Sequence, residues 1–161
     1  WDRIAEATTG GVTFVAGRSR DRDWPFQMAA TQAPDFSWRV PEWRVVFTNS
    51  LARAGRAVLT LGLCGYEGRS RPQLRVALNG APLGEVSGMP SDSAAHRSGL
   101  RGLVHEREIV FDASRLVAGT NVMTFALPSP GRRVETKMGS PAAAVLWDCL
   151  RLECRTLNTE P

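Results

Sequence analysis

The sequence has few residues that would form a metal centre and no segment that would cross a membrane. Its three cysteines, Cys64, Cys149 and Cys154, and its two histidines, His96 and His105, are not spaced like zinc ligands. No apolar run approaches the roughly eighteen residues that span a bilayer. The sequence therefore predicts neither a zinc centre nor a transmembrane helix.

Common catalytic motifs are also absent. The chain has no Gly-x-Ser-x-Gly nucleophile elbow, no phosphate-binding loop and no zinc-hydrolase motif. Lys137, the histidines and the arginines carry groups that serve as acids or bases, but they lie in separate segments without diagnostic spacing. No motif marks a pair of carboxylates for glycoside hydrolysis either. These absences favour a non-catalytic role, with independent catalysis as the weaker alternative.

Lysine is almost missing, since Lys137 is the only one among 20 basic residues, and the net charge is +4. One interpretation is a GC-rich genome, which favours arginine codons. The other is an anionic partner, because the planar guanidinium binds carboxylates through two donors. Nucleic acid requires basic residues clustered on one face, whereas these arginines are spread from Arg3 to Arg155 among acidic residues. Nucleic-acid binding is therefore not predicted.

Long helical periods are lacking, and short strand-like runs recur between turn residues. The predicted strands are Val12–Ala16, Trp43–Thr48, Ala57–Leu63, Leu74–Asn79, His105–Phe111, Val122–Leu127 and Ala144–Cys154. Asn79-Gly80 is a typical hairpin turn, so "APLGEV" is predicted as the returning strand. About eight antiparallel strands predict an all-β protein, a β-sandwich of the jelly-roll type. We expect one domain over residues 1–161, with its core at about residues 12–154.

Alternation within the strands assigns several residues to a face. Trp43 lies on the apolar face of its strand and is predicted to be core. In the last predicted strand Asp148 shares a side with three leucines, and Trp147 lies on the other side. A buried carboxylate needs a partner, for which an arginine is the first choice and a structural Ca²⁺ the second, although no calcium loop is present.

Three segments are too long for tight turns: Gly17–Pro41, Ser87–Val104 and Pro128–Ala143. Long connections in a compact β domain are usually functional or disordered. Between the second and the third of these segments, "DASRLVAG" is predicted to form one helical turn that begins near Asp112 or Ser114 and ends at Gly119.

The runs "RSGLRG", "IVFDASRLVAGTNVMTFALP" and "VLWDCLRLE" occur in an order and spacing that resemble a known family. Roughly Val12 to Glu153 resembles the C-terminal domain of the family 4 polysaccharide lyases, the rhamnogalacturonan lyases. One departure is that Trp147 and Cys149 stand where the last strand usually has tyrosines.

The resemblance implies a galactose-binding-like jelly roll that serves as a carbohydrate-binding module. It also implies that the catalytic lysine and histidine lie in a separate N-terminal domain, which has no counterpart in this sequence. We therefore expect a segment of a longer, secreted protein that needs no cofactor and binds plant cell-wall pectic polysaccharide. The alternatives are a structural domain that braces a lyase, a protein-binding sandwich, and an independent polysaccharide lyase.

The candidate carbohydrate-binding residues are Trp24, His96, Arg97, Arg101 and Trp147. Arg97 or Arg101 would contact a sugar hydroxyl or a uronate carboxylate; alternatively, the loop is structural and Arg97 holds backbone carbonyls or the Asp148 carboxylate. Both interpretations hold if one arginine is structural and the other is free. Trp24 lies in a polar segment, where it is either a sugar platform or a lid over the core. Trp147 is predicted to be a second surface aromatic. Our hypothesis for the site is Trp24 together with Arg97 or Arg101.

Overall fold

The computed structural model describes residues 11–50, 55–67, 73–88, 104–129 and 141–155, and it is a sandwich of two five-stranded sheets. The strands are β1 (Val12–Val15), β2 (Gln27–Gln32), β3 (Trp38–Arg39), β4 (Glu42–Asn49), β5 (Arg56–Glu67), β6 (Leu74–Leu78), β7 (Ala81–Val86), β8 (His105–Asp112), β9 (Gly119–Ala126) and β10 (Pro141–Arg155). In this part of the chain the only helices are two 3₁₀ turns, Asp21–Asp23 and Ala113–Arg115, and no helix is long and apolar enough to cross a bilayer.

The first sheet has the order β1-β4-β9-β6-β7, and the second has the order β3-β2-β10-β5-β8. All pairs are antiparallel except β1 with β4. The protein is thus an all-β jelly roll, as the sequence predicts, with ten strands rather than about eight. All eight predicted strands are present, and two further ones were missed.

The core fills the space between the two sheets. Alternate residues point inward because successive side chains of a strand face opposite sides of the sheet. Trp43 is fully buried, which confirms its assignment to the core. The other largest buried side chains are Phe125, Met28, Leu59, Leu61, Leu63, Leu74, Leu78, Leu116, Met123, Leu146 and Val145.

The two missed strands, β2 and β3, lie within Gly17–Pro41, so the prediction of a single long connection there is wrong. Four consecutive residues of β2, beginning at Gln27, are buried, and the strand therefore shows no apolar-polar alternation. β3 is only two residues long and pairs with the end of β2 at the edge of the second sheet. Neither strand has a periodic signal that the sequence alone would reveal.

The two ends of the sandwich differ. At one end, here called the loop end, strands β2, β5, β7 and β9 end and strands β3, β6, β8 and β10 begin. Register shows this: Pro141 of β10 pairs with Thr31 near the end of β2, while the beginning of β8 pairs with Leu63 of β5. In the first sheet, Leu74 at the beginning of β6 pairs with the end of β7. The opposite end, here called the turn end, holds the Asn79-Gly80 turn and the β8–β9 connection.

The turn end is held by two asparagines. Asn79 and Gly80 have positive φ angles of 51° and 79°, as a tight hairpin turn requires. The Asn79 side chain accepts a hydrogen bond from the Val122 backbone and donates one to the buried Asn121. The predicted helical turn is the 3₁₀ turn Ala113–Arg115, and Asp112 is its N-cap. The run "REIVFDASRLVAGTN" is therefore scaffold.

β10 contains a bulge at Asp148. Trp147 pairs with Leu63 of β5, and Cys149 pairs with the next residue back, Gly62. Two steps along β10 thus correspond to one step along β5, which leaves Asp148 without a partner in the ladder. A Cβ atom on Gly62 would lie 2.5 Å from the Cys149 Sγ, so a larger residue at this position would have to displace the thiol.

The bulge shifts the alternation of β10 by one residue. Trp147 points into the core before it, and Leu150 and Leu152 pack against the core after it. The prediction that Asp148 shares a buried side with the leucines is therefore wrong, because Asp148 is exposed. Cys149 and Cys154 are both exposed free thiols and do not pair with each other.

Candidate functional site

Two of the three long predicted connections, Ser87–Val104 and Pro128–Ala143, leave and re-enter the sandwich at the loop end. Both run from the first sheet to the second, since β7 and β9 belong to one and β8 and β10 to the other. Among the predicted contacts, His96, Arg97 and Arg101 belong to the first connection and lie outside the described residues. Their role in binding stays a prediction, but the structure places the strands that flank their segment, the end of β7 and the beginning of β8.

Trp24 packs against the core. Its ring meets four aromatic rings edge to face, with centroid distances of 4.9 Å to Trp43, 5.3 Å to Trp147, and 6.1 Å to both Phe125 and Phe14. Edge-to-face geometry at these distances is the favoured arrangement for aromatic pairs. The structure therefore supports the interpretation of Trp24 as a lid over the core rather than as a free platform for a sugar.

Trp147 is buried, with 4% of its surface exposed. Its ring stacks on Trp43 at an interplanar angle of 21° and meets Phe125 edge to face at 5.1 Å. The prediction of a surface aromatic at this position is wrong because the bulge at Asp148 places Trp147 on the inner face. A sugar cannot stack on this ring without opening the sandwich.

His105 begins β8 at the loop end, where it is half-buried and pairs with Leu63 of β5. Its Nε2 atom is buried and has no hydrogen-bond partner among the residues that the structure describes. No group of three or more His, Cys, Asp or Glu side chains comes together in the described segments, and neither His105 nor Asp148 has companions there for a metal.

The most exposed aromatic ring among the described residues is that of Phe36, at 73% of its surface. It lies in the turn Ala33–Ser37, which connects β2 to β3 at the loop end. Phe36 has a φ angle of 64°, in the left-handed region that glycine and asparagine normally occupy. For a bulky residue this conformation costs about 1–3 kcal/mol. The backbone conformation at Phe36 is thus unfavourable, and its large apolar ring is exposed to water.

Hydrogen bonds hold the Ala33–Ser37 turn in this shape. The Ala33 amide donates to the Ser37 carbonyl at 2.8 Å, and the Phe36 amide donates to the Ala33 carbonyl at 2.9 Å. The Gln32 side chain donates to the Phe36 carbonyl at 3.2 Å. Asp35 accepts from both the hydroxyl and the amide of Ser37, at 2.6 and 3.0 Å.

The charge on Asp35 is stabilised by the same turn. The hydroxyl of Ser37, and then its amide, hold the pKa of the Asp35 carboxyl below its ordinary value of 3.8, and the nearby positive charge of Arg39 contributes in the same direction. The carboxylate is therefore ionised at neutral pH and keeps its bonds to Ser37. Sequence reasoning missed this turn, although an aromatic residue between Asp35 and Ser37, after a proline, is a recognisable signal of a ring presented by a turn.

The sequence matches a family model described as CBM-like: polysaccharide lyase family 4, domain III, over residues 4–152. The chain belongs to this family. The resemblance stated from the sequence motifs is therefore confirmed over nearly the whole chain. No curated protein matches the sequence.

Several solved structures are similar to this family member at low identity. Dimeric latent PorU from Porphyromonas gingivalis shares 11% identity at a TM-score of 0.44, over 80% of this chain and 11% of PorU. The CBM35 from Cellvibrio japonicus Abf62 shares 18% identity at a TM-score of 0.35, over 72% of this chain and 71% of that one. Xyl-CBM35, in complex with a glucuronic acid containing disaccharide, shares 16% identity at 0.33, over 70% and 68%. The chain thus spans about a tenth of the length of PorU.

Proposed function

We propose that this CBM-like domain is a non-catalytic module that binds a pectic polysaccharide of plant cell walls, rhamnogalacturonan or a related uronate-containing glycan. In this proposal it is attached to a polysaccharide lyase in a secreted protein, and it keeps that enzyme near its substrate. The observation that carries the proposal is the family match over residues 4–152, since the family is a CBM-like domain of polysaccharide lyases.

The loop end is the proposed binding region. Strands β5, β7 and β9 end there and β6, β8 and β10 begin there, and connections that join rigid strands are where β-sandwich folds commonly place their contact residues. Arg97 and Arg101 remain the predicted partners of a uronate carboxylate. Trp24 and Trp147 are removed from the proposed contact set because their rings belong to the aromatic cluster of the core.

Affinity electrophoresis of the chain through rhamnogalacturonan I, homogalacturonan and a neutral arabinan tests the proposal. We expect retardation by the acidic polymers, with a Kd on the order of 10 µM to 1 mM, which corresponds to about 4–7 kcal/mol. Exposed arginine–carboxylate pairs contribute at most about 1 kcal/mol each and weaken with salt. Substitution of Arg101 by alanine should therefore weaken binding up to about fivefold at low salt and less at high salt.

Two outcomes would contradict the proposal. If no polymer retards the chain, the alternative of a domain that only braces its lyase is favoured. If incubation with rhamnogalacturonan I releases products with the ultraviolet absorbance of unsaturated uronates, the chain is itself a lyase. A catalytically dead parent lyase with and without this domain, compared for retention on plant cell walls, tests the targeting role.

A further inference from the structure

The Ala33–Ser37 turn presents a ring that nothing in the core requires. Phe36 is 73% exposed, so its side chain contributes little to the hydrophobic core. Its backbone nevertheless stays in the left-handed region, which a phenylalanine adopts only when the surrounding structure imposes it. Glycine or asparagine would occupy this position more favourably, and each would remove the ring. The fold alone therefore does not account for a phenylalanine at this position.

The turn also keeps the ring in a defined place. Hydrogen bonds from Gln32, Ala33 and Ser37 fix the backbone on both sides of Phe36. A ring whose backbone is already ordered loses little further freedom when a ligand stacks on it, because its side chain has only two rotatable bonds. Pre-ordering of this kind suits a weak, shallow contact.

Position links this ring to the proposed binding region. β2 runs toward the loop end, since Thr31 pairs with Pro141 at the beginning of β10, and the turn follows directly after β2. Phe36 therefore lies at the same end as the segments that connect β7 to β8 and β9 to β10. The two tryptophans proposed from the sequence pack in the core, and Phe36 is the most exposed aromatic side chain among the described residues.

We propose that Phe36 is a stacking platform for the apolar face of a pyranose ring of the bound glycan. This inference rests on the proposed function and names one contact residue for it. A pyranose presents a face of C–H groups, and these pack on the face of an aromatic ring with a gain that comes from burial and dispersion. Such a contact is nearly independent of salt, unlike an arginine–carboxylate pair.

The test is titration of rhamnogalacturonan I oligosaccharides into the whole chain and into three variants. Phe36→Gly and Phe36→Asn remove the ring and accept the φ angle of 64°, so both should fold with a Tm at or above that of the wild type. We expect each to weaken binding about tenfold, equivalent to about 1.4 kcal/mol. The loss should be the same at low and high salt. Phe36→Trp should bind at least as tightly as the wild type because it enlarges the platform.

Phe26→Ala is the matched control. Phe26 is also exposed, at 41%, but it precedes β2, whereas Phe36 follows it. The six residues of β2 separate the two rings by about 20 Å along the strand. Binding by Phe26→Ala should equal that of the wild type. A tenfold loss in Phe36→Gly together with wild-type affinity in Phe26→Ala would establish the platform.

Failure of this inference is distinguishable from failure of the proposed function. If the wild type binds the oligosaccharides and the folded Phe36→Gly and Phe36→Asn variants bind equally well, the platform is elsewhere and only this inference is overturned. If Phe26→Ala loses as much affinity as Phe36→Gly, a site confined to the loop end is also ruled out. If the wild type binds none of the acidic or neutral polymers, the proposed function falls and the platform with it.

Discussion

Asn121 should be one of the most sensitive polar positions in the protein. It is completely buried, and its side chain makes four hydrogen bonds. It accepts from the Val117 amide and from the Asn79 side chain, both at 3.0 Å, and it donates to the carbonyls of Val117 at 2.9 Å and Gly119 at 3.2 Å. These bonds fix the path of the chain between the 3₁₀ turn and β9.

The cost of Asn121→Ala can be worked from these contacts. Each net hydrogen bond contributes about 1 kcal/mol, so four lost bonds set an upper value of about 4 kcal/mol. Val117 and Gly119 are exposed residues, so water replaces part of what they lose. We therefore expect a loss of about 2–3 kcal/mol in the free energy of unfolding.

Asn121→Asp should cost more at neutral pH. Its carboxylate keeps the two accepted bonds but faces two carbonyl oxygens, which repel it, and burial raises its pKa as well. A carboxyl whose pKa is raised in the folded state lowers the stability of the protein as the pH rises through its folded pKa. The deficit of this variant should therefore shrink as the solution is acidified, because the protonated carboxyl again donates to a carbonyl.

Urea unfolding followed by tryptophan fluorescence measures these differences, with Thr120→Ala as the control. Thr120 precedes Asn121 but is exposed, so its substitution should change stability by less than about 0.5 kcal/mol. If Asn121→Ala is as mild as Thr120→Ala, the hydrogen-bond argument for the turn end is wrong. Glycan affinity of the folded Asn121→Ala variant should be unchanged, since the turn end is opposite the proposed site.

Three further predictions concern the second sheet and the 3₁₀ turn. Gly62→Ala should lower the free energy of unfolding by about 1–3 kcal/mol, since its Cβ would lie 2.5 Å from the Cys149 Sγ. Cys149→Ala should recover part of that loss in a double-mutant cycle, and full additivity in urea unfolding would contradict the contact. Trp147→Ala should cost about 3–5 kcal/mol by thermal or urea unfolding without a specific effect on glycan affinity, and a stable variant with impaired binding would return Trp147 to the site. Hydrogen bonds from the Ser114 side chain and amide hold the pKa of Asp112 below 3.8. Its carboxylate therefore stabilises the fold above that pH and loses this effect as the pH falls through the lower folded value. The difference in stability between the wild type and Asp112→Asn, measured from about pH 2 to pH 6, should be constant above about pH 4 and change only below it.

The elements that the sequence predicts well are those determined by local rules. Asn79-Gly80 forms the expected hairpin because few other residues adopt the positive φ angles that the turn needs. β4 alternates cleanly, so Trp43 could be assigned to the core from its strand alone. Asp112, one of the two expected starts of the helical turn, is its N-cap, because its side chain accepts a hydrogen bond from the Ser114 amide at 2.8 Å.

The errors in β10 arise from pairing, which a single strand does not encode. The alternation of β10 is regular as a string of letters, and the bulge at Asp148 appears only when Cys149 is set against Gly62 of β5. That single extra residue moves Trp147 from the predicted surface to the core and Asp148 from the predicted core to the surface. β2 was missed for a related reason, since burial on both sides removes the periodic signal.

The longest run that carries the family resemblance lies in the scaffold, away from the proposed contact at Phe36. The longest run that carries the resemblance, "IVFDASRLVAGTNVMTFALP", forms β8, the 3₁₀ turn and β9, and its Asn121 works at the turn end. This run therefore carries the resemblance through residues that build the sandwich. The contact proposed for a glycan, Phe36, lies at the opposite end in a turn that no family motif marked. Under this proposal the scaffold and the Phe36 contact depend on different residues, so a family member can keep the first and change the second. Substitutions at Phe36 and Arg101 are consequently a sharper test of glycan choice than further comparison of the scaffold.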